Sequence, residues 1–182
     1  MAENETHDAL LNALALALVD HPRASLQELA CAVGVSKATL YRFSRTRESL
    51  ISTLRLHSIK AYQRAVQNAN LDTATPVDGI RALLENYYAN KELTVFLIHY
   101  WHPEIDDNDD CLASQEILDA FFLRGQQEGF FRIDISAVTM SECCHGLFFS
   151  LVDAERRGRV PRTKIISIIE TMLLQGCTAA KK

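Results

Sequence analysis

The chain has 182 residues, 48% of them hydrophobic and 23% charged, with seven glycines and four prolines. That length buries an ordinary core, and the composition excludes collagen-like, low-complexity and disordered classes. Net charge is −4, which taken as a bulk figure argues against a nucleic-acid partner, and the five cysteines form an odd set without CxxC spacing, against both a disulfide framework and a zinc knuckle.

Apolar residues recur with helical period along the whole chain, and no long alternating run calls for a sheet. The fold class is therefore all-α. Leu10, Leu14 and Leu18 line one face of a first helix, which stops before His21-Pro22 because proline cannot continue it. Glu3, Glu5 and Asp8 precede the apolar segment from Ala9 to Val19, where a secretory signal would carry positive charge. The segment therefore reads as a core helix. No uncharged run approaches the roughly 20 residues a bilayer requires, so a cytoplasmic protein without membrane contact is expected.

Ser25-Leu-Gln-Glu28 is a capping box that starts a second helix at Leu26, and Gly34 can take the left-handed conformation that ends it. Ser36 caps a third helix to about Phe43. Thr46 caps a long fourth helix reaching about Asn70, with Leu50, Leu54, Ala61 and Ala65 on one stripe. Thr75-Pro76 places a cap before proline at the first helical position, and helices follow over 77–89 and 91–101. The run EIDDNDD from Glu104 to Asp110 is expected as a polar loop. A helix then covers 112–128 and ends at Gly129, and the last two helices span 136–157 and 161–176. The final helix is crowded with Ile165, Ile166, Ile168, Ile169, Met172, Leu173 and Leu174, more apolar surface than one neighbour covers. A second subunit is one way to cover it.

Two short helices joined by a tight turn, with small Ala30 and apolar Leu29, Val35 and Leu40 at the elbow, have the spacing of a helix-turn-helix. In that motif the second helix enters the major groove and its first residues meet base edges. Charge distribution supports it. From Ser36 to Arg64 there are seven Lys or Arg against Glu48 alone, a local +6 on a chain of −4, so the remaining residues carry −10. A basic patch on an acidic body suits a DNA-reading module attached to a larger domain.

The segment ELACAVGVSKATLYRFSRTRESL resembles the N-terminal signature of the TetR family of bacterial repressors. Ala30, Gly34, Val35, Ser36, Thr39, Leu40, Tyr41, Glu48 and Leu50 match directly. Arg47 stands for the usual lysine, Ala38 for a common glycine and Ser44 for a common aromatic, and the first helix lacks the usual Phe and Gly near its end. Within the family, RASLQELA, GVSKATLYRF, LDAFFLRGQQEGFFRIDI and VDAERRGR are similar to repressors of multidrug efflux operons.

The resemblance implies an all-helical homodimer that binds double-stranded operator DNA through residues 1–46. It implies a larger C-terminal helical domain, 47–182, for ligand binding and for dimerisation through the last two helices. Carried over by position, Ser25 lies near a phosphate and Gln27 near a base, while Ser36, Lys37, Ala38 and Thr39 open the recognition helix. Tyr41 donates to a phosphate, Arg42 reaches a phosphate or a base, and Arg47 clamps a phosphate at the start of the fourth helix.

For a small hydrophobic or cationic ligand, Tyr87, Tyr88, Phe96, His99, Trp101, Phe121, Phe122, Phe148 and Phe149 are candidate lining residues, although helical cores contain aromatics at the same spacings. The competing classes are a small helical metal- or thiol-dependent enzyme using His99, His102 and Cys143, a redox-sensing regulator using Cys143 and Cys144 beside His145, and a helical interaction module whose basic patch binds an acidic protein. The acidic run after His102 lacks the glycine and terminal glutamate of a calcium loop, and no basic residue close in sequence lowers the thiol pKa values. No nucleophile motif, phosphate loop or dinucleotide fingerprint appears, and no cofactor is expected.

Overall fold

The computed structural model describes residues 2–102 and 109–178. These form nine α-helices: α1 (Ala2–Asp20), α2 (Leu26–Ala32), α3 (Lys37–Phe43), α4 (Arg47–Asn68), α5 (Pro76–Ala89), α6 (Lys91–Tyr100), α7 (Asp109–Gln127), α8 (Ala137–Arg156) and α9 (Ile165–Cys177). Among the described residues the nearest approach to a strand is a single bridge between Phe131 and Thr178. No helix among them is long and apolar enough to cross a membrane.

Start signals written in the sequence are made as hydrogen bonds. The Thr75 hydroxyl accepts from Asp78 N, Ser136 from Thr139 N and Thr46 from Ser49 N, each filling an otherwise orphaned donor of a first turn.

Two ends differ from expectation. Helix α7 starts at Asp109, inside the expected loop; the rest of that loop lies outside the described residues. The segment after Pro161 is not continuous α-helix. Arg162–Lys164 form a 3-10 turn without a side-chain cap, and α9 begins only at Ile165.

The helices fall into two compact units. One comprises Met1–Ala61 with Lys91–Asp106, so α6 joins α1, α2, α3 and the first part of α4 rather than the helices beside it in sequence. Its core is a leucine cluster, Leu11, Leu14, Leu18, Leu29, Leu40, Leu50 and Leu54, closed by Leu93 and Phe96. The Tyr100 hydroxyl donates to Leu18 O at 3.1 Å, tying α6 to the end of α1. The unit that carries α2 and α3 is thus larger than residues 1–46, since three apolar helices are needed to bury the two short ones.

The other unit comprises Tyr62–Asn90 with Asp107–Lys182. There α8 packs on α7 and α9, and α9 packs on α5. Arg124 Nη2 donates to the carbonyls of Leu71 (2.6 Å) and Ala74 (2.9 Å), and Gln126 Nε2 to those of Arg132 and Ile135 (2.7 Å each). Two side chains of α7 on different sides of the helix therefore pin two loops, while Phe122 and Phe131 are buried nearby.

Candidate DNA-binding interface

The capping box at the start of α2 is complete. Ser25 Oγ accepts from Glu28 N at 3.3 Å, and Ser25 N and Oγ both donate to Glu28 Oε2 at 2.8 Å. Those bonds, the backbone one foremost, hold the Glu28 carboxyl below its usual range. Helix α2 runs for two turns, burying Leu26, Leu29 and Ala30 while Gln27 faces out. At Gly34, φ is +72°, and Val35 N bonds back to Ala30 O at 2.9 Å. A left-handed residue is what lets the chain reverse here in so few steps.

Ser36 then caps α3, accepting from Thr39 N at 3.0 Å, and its hydroxyl also meets Thr39 Oγ1 at 2.8 Å. Only Leu40 of this helix is fully buried, and Phe43 is partly buried. That single anchor leaves Lys37, Ala38, Tyr41 and Arg42 exposed on a helix of seven residues. Lys37 Nζ donates to Gln27 Oε1 at 3.2 Å and stands 5.4 Å from the centre of the Tyr41 ring, so residues of α2 and α3 share one polar surface. Arg45 is exposed beside it.

Arg47, in the first turn of α4, is partly buried, and its Nη2 donates to Pro22 O at 2.6 Å. The guanidinium is therefore a strut between the start of α4 and the α1–α2 turn. Of the expected contact residues, Gln27, Lys37, Ala38, Tyr41 and Arg42 are brought onto one exposed surface, whereas the hydroxyls of Ser25, Ser36 and Thr39 are spent on helix starts.

The aromatic candidates divide. Phe96 is fully buried in the leucine core and stacks on Tyr100 at 4.6 Å, while His99 lies in the last turn of the same α6 and Trp101 just beyond it. They belong to the unit carrying α2 and α3. Tyr87, Tyr88, Phe121, Phe122, Phe148 and Phe149 belong to the other. Phe121 and Phe122 pack with Phe131. Tyr88 donates to Glu155 at 2.9 Å and borders an open cleft of about 440 Å³ whose wall includes Arg81, Arg162 and Lys164.

Tyr87 and Phe148 form a second aromatic group, around Tyr62 and His145, which were not among the expected lining residues. Both the Tyr87 and Tyr62 hydroxyls lie within hydrogen-bond distance of His145 Nε2, at 3.0 and 3.2 Å, and Phe149 stacks on the imidazole. Burial pushes the His145 pKa down to about 4, opposed by Asp119, and raises that of Tyr87. At neutral pH this is an uncharged polar cluster inside an apolar core. A signal existed, since His145 follows Cys144 and lies three residues before Phe148, on the buried stripe of α8.

Cys143 is exposed, but Cys144 is fully buried and burial raises its thiol to about 12, which leaves almost no thiolate at neutral pH. Among the described residues no group of three His, Cys, Asp or Glu side chains is arranged to hold a metal ion.

No protein-family model matches the chain. Curated proteins and solved structures do. The HTH-type transcriptional regulator NfxB of Pseudomonas aeruginosa is 43% identical over 178 residues, 95% of each chain. The HTH-type transcriptional repressor LfrR of Mycolicibacterium smegmatis is 29% identical over 183 residues, covering 96% of this chain and 92% of that one. The crystal structure of the TetR-like regulator LfrR in complex with proflavine superposes with a TM-score of 0.67, at 27% identity over 99% of this chain and all of the other. The MbdR regulator from Azoarcus sp. CIB shares the fold, with a TM-score of 0.72 at 14% identity over 93% of this chain and 97% of that one.

Proposed function

Because the chain belongs to the TetR family of transcriptional regulators, we propose that its α2–α3 surface is what reads the operator and that its C-terminal helices hold the control. The protein is a transcriptional regulator and not an enzyme. Residues 1–46 supply the base and phosphate contacts; residues 47–182 supply effector binding and dimerisation, with α4, which starts at Arg47, as the linking helix.

The observation that carries the DNA assignment is α3 itself. It is a seven-residue helix held by one buried leucine, with its remaining surface given to Lys37, Ala38, Tyr41 and Arg42. Lys37 and Arg42 donate to phosphates or guanine edges, the Ala38 methyl can meet a thymine methyl, and Tyr41 donates to a phosphate. Arg47 keeps the entry of α4 in register with that surface. Two copies related by a twofold axis, joined through α8 and α9, would place two α3 helices in successive major grooves.

For the effector we propose a small hydrophobic or cationic molecule, held among Tyr62, Tyr87, His145, Phe148 and Phe149. Aromatic rings around a neutral imidazole and two hydroxyls suit a planar aromatic cation, and the structural relative LfrR is described in complex with proflavine. Release follows if the ligand binds better to a conformation whose half-site spacing no longer fits DNA. The regulated genes on this reading are those of a multidrug efflux operon.

Titration of purified protein into the duplex upstream of its own gene tests both halves. A specific affinity of about 10⁻⁸ M or tighter is expected, weakening steeply with salt. Proflavine should release the duplex. Equal affinity for unrelated DNA would contradict the operator assignment, and unaltered binding at saturating proflavine would contradict the proposed effector class.

A further inference from the structure

Lys37 opens α3 and Gln27 lies on the exposed side of α2, ten residues earlier, yet the two side chains touch. The ammonium donates to the carboxamide oxygen at 3.2 Å. The direction of that bond is forced, since lysine has three donors and no acceptor, so the amide must present Oε1 to it and turn its NH₂ outward. The Tyr41 ring, one helical turn along α3, also lies against the ammonium, its centre 5.4 Å away.

The pairing changes what Gln27 can read. A free glutamine recognises adenine with two bonds, accepting from N6–H at Oε1 and donating to N7. Here a formal cation already occupies Oε1. A second donor, such as the amino group of adenine or cytosine, would have to approach beside that charge. What the pair still offers is the remaining Lys37 N–H groups and the Gln27 NH₂, all of them donors. The base edge that presents two major-groove acceptors and no donor is guanine, through O6 and N7.

We propose that Gln27 and Lys37 read the operator as one donor-only unit, in which Gln27 is a positioning residue that fixes the Lys37 ammonium and the pair selects guanine. The inference rests on α3 being the recognition helix. Lysine contributes the charge; Gln27 contributes the choice of base. Lys37 alone, on a flexible four-carbon stem, would swing between phosphates and bases.

Selection from a randomised duplex pool tests this, with wild type, Gln27→Ala and Lys37→Ala, followed by affinity measurements on duplexes differing at the enriched position. Wild type enriches guanine at one position in each half-site. Replacing that guanine by 7-deazaguanine, which lacks the N7 acceptor, weakens wild-type binding about tenfold, within the range of one bidentate contact. Lys37→Ala frees Oε1, and at that position the preference turns from guanine toward adenine by about tenfold. Gln27→Ala flattens the preference while retaining most non-specific affinity. Because both residues are exposed, neither variant should alter the melting temperature.

If wild type enriches no sequence at all, the recognition-helix reading fails and takes this inference with it. If wild type enriches a sequence but Lys37→Ala lowers affinity equally for all four bases, the recognition helix stands and the coupled reading is overturned. A Gln27→Ala protein with unchanged base preference would overturn it as well.

Discussion

At the scale of single residues, two side chains and a glycine carry separate roles that can be tested separately. Tyr41 is about 41% exposed and contributes nothing to the buried core, so Tyr41→Phe should leave stability unchanged. It should weaken operator binding about tenfold if the hydroxyl donates to a phosphate, since hydrogen bonds to charged groups contribute about 1.5–3 kcal/mol. Direct titration of the duplex reads this. Gly34 takes φ +72° with open space around its Cα, so Gly34→Ala meets no clash and pays only for the left-handed backbone. The cost is about 1 kcal/mol, or roughly 2–4 °C in Tm, measured by thermal melting.

His145 predicts a pH dependence. Its folded pKa, about 4, lies below the ordinary 6.5, so between those values the unfolded chain binds the proton that the folded chain refuses. Its contribution is therefore complete above pH 6.5 and is lost as pH falls toward 4. Between pH 6.5 and 5 the loss is about 2 kcal/mol at 1.36 kcal/mol per pH unit. Urea unfolding at pH 7 and pH 5 should show His145→Gln losing less stability than wild type across that interval. Parallel losses would show that the imidazole is charged in the folded protein.

At the scale of elements, the helix starts were legible because each depends on a local rule that packing did not override. Ser25 with Glu28, Ser36, Thr75 with Pro76, and Ser136 all sit where their side chains satisfy first-turn donors. Ends set by the wider structure were not legible. Arg162–Lys164 form a 3-10 turn with no side-chain cap at Pro161, and α7 reached back to Asp109 through acidic residues that a composition rule assigns to loops.

Close helix-to-loop packing in α7 was equally silent in the sequence. Gly125 lies where a Cβ would overlap the Phe131 ring, while its carbonyl accepts from the backbone N–H groups of Phe130 and Phe131. Gly125→Ala should therefore destabilise the protein by about 1–3 kcal/mol, as overpacking does, with a lowered Tm as the readout. It should leave DNA affinity of the folded fraction intact, because α7 carries no proposed contact.

At the scale of the whole molecule, the overall charge of −4 was a poor guide and its distribution a good one. The packing units were only partly readable. Sequence order suggested separate segments, but Leu93 and Phe96 of α6 help fill the core beneath α2 and α3, a contact across more than 50 residues that no local pattern announces. The same long-range packing separated the aromatic candidates, taking Phe96 into the leucine core and leaving Tyr87 and Phe148 with Tyr62 and His145. Aromatic spacing reports burial, whereas the partner a ring buries against is decided by the fold.

The most direct test of the account is a footprint on the duplex upstream of the protein's own gene, for wild type and Lys37→Ala at matched concentrations. The account predicts two protected half-sites whose centres lie about 10 base pairs, or a multiple of that, apart, with protection redistributed or lost in the variant. Protection without a preferred sequence, or a wild-type footprint unchanged by Lys37→Ala, would contradict it.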